Sequence, residues 1–190
     1  FERARFERAR ALAEEAYALR RRLLGERDPA LAESLDLLAV LRLQAGDLEA
    51  AERLHDRALD IKRAALGDDD ASVAETWNLL GIVRRRRGDH EGAEAAYRAA
   101  LAIWRARLGD DHPQVAMGMN NLALVLHVSG KYAAARALFE QLVPLRRRLL
   151  GAQHPHLQLT LANYGKLLHD LGDLEGAERA YQEAIAIGRR

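Results

Sequence analysis

Apolar and small residues recur along this chain at steps of three and four, the spacing that lines up one face of an α-helix. Leu35, Leu38 and Ala39 form one such set. Trp77, Leu80 and Gly81, then Met119, Leu122 and Ala123, then Leu161, Tyr164 and Gly165 repeat it at intervals of 42 residues. A second set keeps the same step: Ala51, Ala93, Ala135 and Ala177, then His55, Tyr97, Phe139 and Tyr181, then Ile61, Ile103, Leu145 and Ile187. Glycines punctuate both. Gly25, Gly67, Gly109 and Gly151 are 42 residues apart, and Gly46, Gly88, Gly130 and Gly172 interleave with them at 21. Glycine just past a helix end supplies the left-handed backbone that closes it. The pattern predicts a repeated unit of helix A, turn, helix B and loop.

The polar positions agree. Helix A is preceded by Asp28-Pro29, Asp68-Asp69-Asp70, His112-Pro113 or His154-Pro155, and helix B by Gly46-Asp47 or Gly172-Asp173. Asp caps a helix start, and proline suits the first turn because its missing N–H has no partner there anyway. Small residues at 39, 81, 123 and 165 and alanine throughout the column at 51 allow two antiparallel helices to approach closely. One hairpin cannot bury both of its apolar faces, so each must stack on its neighbours.

Trp77-x-x-Leu80-Gly81 followed by Ala93-x-x-x-Tyr97 resembles the tetratricopeptide repeat signature. The 42-residue period, the loop Leu108-Gly109-Asp110-Asp111-His112-Pro113, and the stretches Met119–Ala123 and Lys131–Ala135 resemble its long variant, found in kinesin light chains and bacterial signalling proteins. The resemblance implies an all-α, right-handed superhelical solenoid of antiparallel helix hairpins. Units are expected at 25–66, 67–108, 109–150 and 151–190, in one array over 1–190. Residues 1–24 then form the helix B half of an earlier unit, with Ala9, Leu12, Leu19 and Leu24 in its columns. Two positions depart from the pattern. Pro144 falls inside the third helix B and is expected to bend it. Arg42 and Arg84 stand where later units have Leu126 and Leu168, so their stems are expected to pack while their heads reach water. Both ends look cut within the array. A longer parent protein, or a second copy covering an open end, is the expectation.

Composition narrows the chemistry. Of 190 residues, 29 are basic and 28 acidic, a net charge of +1 that argues against a nucleic-acid or membrane-surface binder. With no cysteine there is no disulfide, thiol catalysis or cysteine zinc site. No phosphate loop, nucleophile elbow or His-Glu-x-x-His occurs, so neither an enzyme nor a cofactor is expected. His112 and His154 read as helix-start residues. His127 and His169, 42 apart, are expected on equivalent faces of successive A helices, but two imidazoles without a carboxylate make a poor metal site. The runs Arg20–Arg22, Arg84–Arg87 and Arg146–Arg148 circle a helix and so form no single stripe; solvated faces and ion pairs are expected of them.

In the family this chain resembles, helix A lines a concave surface along which partners lie. Transferred residue by residue, the columns there are Leu37, Leu79, Asn121 and Asn163; Asp36, Asn78, Asn120 and Ala162; Val40, Ile82, Leu124 and Lys166; and Leu43, Arg85, His127 and His169. Gln44, Arg86, Val128 and Asp170 lie at the exit. The candidate ligand-binding residues are Asn78, Asn120, Asn121, Asn163, Lys166, Arg85, Arg86, His127 and His169. Asparagine donates and accepts, so it can hold an extended peptide backbone. The cations favour acidic side chains. The expected function is a non-enzymatic module that binds a protein or peptide, acidic in character. The alternatives are a regulatory scaffold in a larger bacterial signalling or defence protein, and a module that self-associates through uncapped ends into a homo-oligomer. No membrane-spanning run occurs, the Ala- and Arg-rich composition suggests a bacterial source, and a cytoplasmic location is expected.

Overall fold

The computed structural model describes residues 2–189, with side chains from Arg5 to Arg189. Helices account for its elements: α1 (Glu2–Leu24), α2 (Pro29–Gln44), α3 (Leu48–Leu66), α4 (Ala71–Arg87), α5 (His90–Leu108), α6 (Pro113–Val128), α7 (Tyr132–Leu150), α8 (Pro155–Asp170) and α9 (Leu174–Gly188). No strand occurs among the described residues. The A helices are α2, α4, α6 and α8. The chain divides into two compact units, Phe1–Ile103 and Trp104–Arg190.

The two glycine series close helices in different ways. After α2, α4, α6 and α8 the chain makes a six-residue closure, as in Asp47 N–H to Arg42 C=O at 3.0 Å and Asp173 N–H to Leu168 C=O at 2.9 Å. After α3, α5 and α7 the glycine N–H itself reaches back four residues, as in Gly67 to Arg63 at 3.1 Å. The first closure permits the tight A-to-B turn, and the second opens the longer loop to the next hairpin. Both need positive φ, and the eight glycines supply 73° to 90°. Asp28, Asp47, Asp70 and Asp173 cap their helices through the side chain. His112 and His154 do so too, their Nδ1 atoms accepting from Gln114 N–H and His156 N–H at 3.2 and 3.1 Å.

In the first unit α1 packs on α2, α2 on α3 and α3 on α4, with α2 also touching α4. The core between α2 and α3 is Leu31, Ala32, Leu35, Ala58 and Ile61. Leu59, Val73, Leu80 and Ala96 form the next layer, and Ala13 joins α1 to Leu38 and Leu41. Leu12, Leu19 and Leu24 on α1 are exposed, so the α1 residues that carry packing are Phe6, Ala13 and Tyr17. In the second unit α6 packs on α7, α7 on α8 and α8 on α9, with α6 touching α8. Leu157, Leu161, Ala184 and Ile187 anchor the last hairpin, with Val143 of α7 packed against them.

The helix pairs interlock by size. The fully buried Tyr97 ring lies so close to Gly81 that a methyl there would meet Cε1 at 2.5 Å, and Tyr181 stands at 2.9 Å from the same point on Gly165. Where the A helix carries alanine instead (Ala39, Ala123), the B helix carries His55 or Phe139. Pro144 sits on the exposed side of α7, which stays α-helical from Tyr132 to Leu150. The Glu140 carbonyl that loses its partner there is on a residue open to water. Arg84 differs from expectation. The Arg42 head reaches a water-exposed contact with Glu14 at 3.3 Å, whereas the more covered Arg84 head ends on Glu52 at 3.0 Å.

Candidate functional site

The candidate residues separate by depth. Asn78 and Asn120 are buried, as is Asp36 in the same column. The neighbouring column faces outward: Leu37 is 53% exposed, and Leu79, Asn121 and Asn163 are half-buried. On the α2 and α4 faces, Val40 and Ile82 add half-buried apolar surface, and Arg85 is exposed at the end of α4. Its charge opposes the upward push that burial gives the Tyr97 phenol. Arg86 is exposed too and reaches the Leu43 carbonyl of α2 at 3.5 Å. Arg84 and Arg87 both meet Glu52, so this arginine run pairs hairpin with hairpin. On the α6 and α8 faces, Asn121 and Asn163 lie beside half-buried Leu124 and exposed Lys166.

His127 is 9% exposed, and its Nε2–H donates to Asp170 Oδ2 at 2.7 Å, joining α6 to the end of α8. Exposed His169 stands 3.4 Å from the other oxygen. These two bonds, His127 first, hold the Asp170 carboxyl below its ordinary value. The carboxylate absent from the sequence reading of the two histidines is therefore Asp170, and His127 is a hairpin-to-hairpin tie. No group of three or more His, Asp or Glu among the described residues could hold a metal.

Sequence reasoning missed a buried polar centre. Asp36 Oδ1 accepts from His55 Nδ1–H at 2.7 Å, and its Oδ2 accepts from Lys62 Nζ at 2.7 Å and from Thr76 Oγ1 at 2.8 Å. Lys62 also donates to Thr76 Oγ1 and the Ser72 carbonyl at 2.9 and 3.2 Å. All four side chains are buried. Burial works to raise the Asp36 carboxyl, but the His55 hydrogen bond and the Lys62 charge outweigh it and hold the group below its ordinary value. Lys62 belongs to a series with the 42-residue step. Arg20 donates to the Ala30 carbonyl and Ser34 Oγ at 2.8 and 3.0 Å. Arg146 donates to the His156 carbonyl and to Thr160 Oγ1. A cation near the end of α1, α3 and α7 thus latches onto the first turns of the A helix that follows. The signal was in the sequence: Arg20, Lys62 and Arg146 align, as do Ser34, Thr76 and Thr160, and the unit with Trp104 in place of the cation has Gly118 in place of the hydroxyl.

Helix hairpins of constant length, repeated along the chain, define a helical-repeat scaffold of the protein-interaction class. The tetratricopeptide repeat family matches at residues 1–64, 72–147 and 114–190, and the chain belongs to that family. Solved structures place it alongside kinesin-light-chain-like arrays. BtubC (BKLC) from P. vanneervenii is 28% identical over 96% of this chain and 73% of its own, with a TM-score of 0.81. A Podosopora anserina protein with nearly identical TPR-like repeats, assigned as a kinesin light chain, is 20% identical over 98% and 89%, with a TM-score of 0.83. MamA is 16% identical over 99% and 91%, with a TM-score of 0.69. None of the curated proteins compared with the chain matches at a significant level. No described helix is long and apolar enough to cross a membrane.

Proposed function

We propose that the outward faces of the A helices bind an extended peptide segment of a protein partner, one carrying acidic and apolar side chains. The observation that carries the reading is the column Leu37, Leu79, Asn121 and Asn163. It lies next to a buried column, with Leu37 53% exposed and Leu79, Asn121 and Asn163 half-buried. Apolar surface beside donor–acceptor amides suits a backbone held by its peptide groups with side chains in shallow pockets. Lys166 and Arg85, both exposed, supply charge for acidic residues. Asn78, Asn120 and His127 act behind this face as interior supports. The units 25–66, 67–108, 109–150 and 151–190 serve in this reading as repeats of one array. The test is calorimetric titration of the full chain with peptides selected against it. Asn121→Ala with Asn163→Ala is expected to weaken binding by at least about tenfold, the loss of one to two hydrogen bonds. Unchanged affinity would remove the assignment.

A second reading, self-association, draws on the last hairpin. Pro155, Leu159, Tyr181 and Ile185 line an open apolar hollow of about 390 Å³, with Leu159 and Ile185 each about half exposed. Light scattering over a concentration series tests it. A mass that stays at one chain would exclude it.

A further inference from the structure

Arg146 is a buried cation without an acid. It is 7% exposed, and no carboxylate among the described residues pairs with it. The other two latch cations are compensated, Lys62 by Asp36 at 2.7 Å and Arg20 by Glu33 at 3.5 Å. The 42-residue register explains the difference. The position of Glu33 is Leu159 in the last unit, and the position of Asp36 is Asn120 in the third. Asn120 is itself buried with its Oδ1 unpartnered. Two sites that hold acids elsewhere in the chain are therefore neutral around this one guanidinium. Burial, with nothing to offset it, pulls Arg146 below its ordinary value. An unpaired buried charge is costly, because the desolvation it suffers is repaid by no partner.

Arg146 also borders a hollow. Its Nη1 serves His156 C=O and Thr160, leaving about three of its five N–H donors uncommitted. Arg146 lines a hollow of about 240 Å³ with Pro113, Met117, Leu149, Leu150 and His156. Met117, 38% exposed, stands at its rim. The volume is below the ~300–1,000 Å³ of pockets that take drug-sized ligands, so it admits a single small apolar group. An apolar wall around a cation fits an amphiphilic anion and rejects a strongly hydrated one such as phosphate, whose remaining oxygens would lose water without gaining partners.

We infer that this pocket between α6, α7 and α8 binds a monocarboxylate borne on a small apolar group, whose carboxylate supplies the counter-charge Arg146 lacks. The carboxylate comes either from a free organic acid or from an acidic residue next to an apolar one in a peptide. The pocket is distinct from the outward column of Asn121 and Asn163.

The experiment is an NMR titration of the full chain with three probes: 4-methylpentanoate, its neutral amide 4-methylpentanamide, and the dipeptide N-acetyl-Glu-Leu-amide. The acid, the dipeptide or both are expected to shift amides around residues 113–117 and 146–156, with the amide at least about tenfold weaker than the acid. Binding of the acid alone assigns the site to free acids, and binding of the dipeptide alone assigns it to peptides. Two variants guard the result. Arg146→Met removes the charge. Leu159→Glu, at an exposed position, restores the acid that Glu33 provides to Arg20; it is expected to keep the fold, raise thermal stability and abolish probe binding. Asn121→Ala with Asn163→Ala is expected to leave these probes bound, so failure of the peptide-face reading stays separate. The inference is overturned if neither acid nor dipeptide binds, if 4-methylpentanamide binds as well as the acid, or if Leu159→Glu binds unchanged.

Discussion

Replacing Gly81 with alanine sets two effects of known sign against each other. Alanine is the better helix former by about 1 kcal/mol, and Gly81 is in the middle of α4. Yet its methyl would lie 2.5, 2.6 and 2.9 Å from Tyr97 Cε1, Cδ1 and Cζ. Carbon atoms rest at roughly 3.5–4.0 Å, so the ring must retreat by about 1 Å or the helices must part. Tyr97 is fully buried, so the ring cannot swing out into water. Overpacking of this kind costs about 1–3 kcal/mol, so after the gain in helix propensity a net loss of up to about 2 kcal/mol remains. For a chain of this length that is a fall of up to about 8 °C in Tm, read by thermal melts followed by circular dichroism. Gly165→Ala is the internal comparison. Its methyl meets the Tyr181 ring at 2.9 to 3.1 Å, and Tyr181 is 37% exposed and can swing outward. It should therefore cost less than Gly81→Ala. In a Tyr97→Ala background the effect of Gly81→Ala should change sign, because only helix propensity is left. A stabilising Gly81→Ala in the native background, or a larger loss at Gly165 than at Gly81, would refute the packing argument.

Two further expectations concern the buried polar groups. Asp36→Asn leaves Lys62 buried without its counter-charge and should cost about 3–5 kcal/mol, measured by urea unfolding, whereas Asp36→Leu combined with Lys62→Met should recover most of the loss. Because the folded Asp36 carboxyl is held below its ordinary value of about 3.9, its contribution is fully present above that pH and disappears as pH falls through it toward the folded value. The gap between native chain and Asp36→Asn should narrow correspondingly in acid, and a gap that widens there would contradict the assignment. Asp170→Ala strands the buried His127 Nε2 and should lower Tm, while His169→Ala, at an exposed 3.4 Å contact, should leave Tm almost unchanged.

The helices were legible because their determinants are local. A glycine at φ near 80°, an Asp cap and a three–four apolar step act within one or two turns, and each recurs at 42 residues. The depth of the A-helix columns was less legible. Asp36, Asn78 and Asn120 are polar and so read as surface, but a repeat period says only which residues are equivalent, not which equivalent position lies between hairpins. Asp36 is interior because Lys62 and His55 arrive from α3 and Thr76 from the next A helix, contacts 19 to 40 residues apart in sequence. The paired replacement of Lys62 and Thr76 by Trp104 and Gly118 one unit later was visible, and it marks the two columns as partners. The outward column was found by the same alignment. Its reading as a binding face draws on Leu37, a large apolar side chain 53% exposed, standing in the same column as Asn121 and Asn163.

The most direct measurement of the central claim is hydrogen–deuterium exchange of the full chain with and without a saturating selected peptide. The account predicts added protection on the A helices, α6 and α8 around Asn121 and Asn163 and α2 and α4 around Leu37 and Leu79, with α7 and α9 unchanged. Protection confined to the B helices or to the loops, with the A helices exchanging as in the free protein, would contradict it.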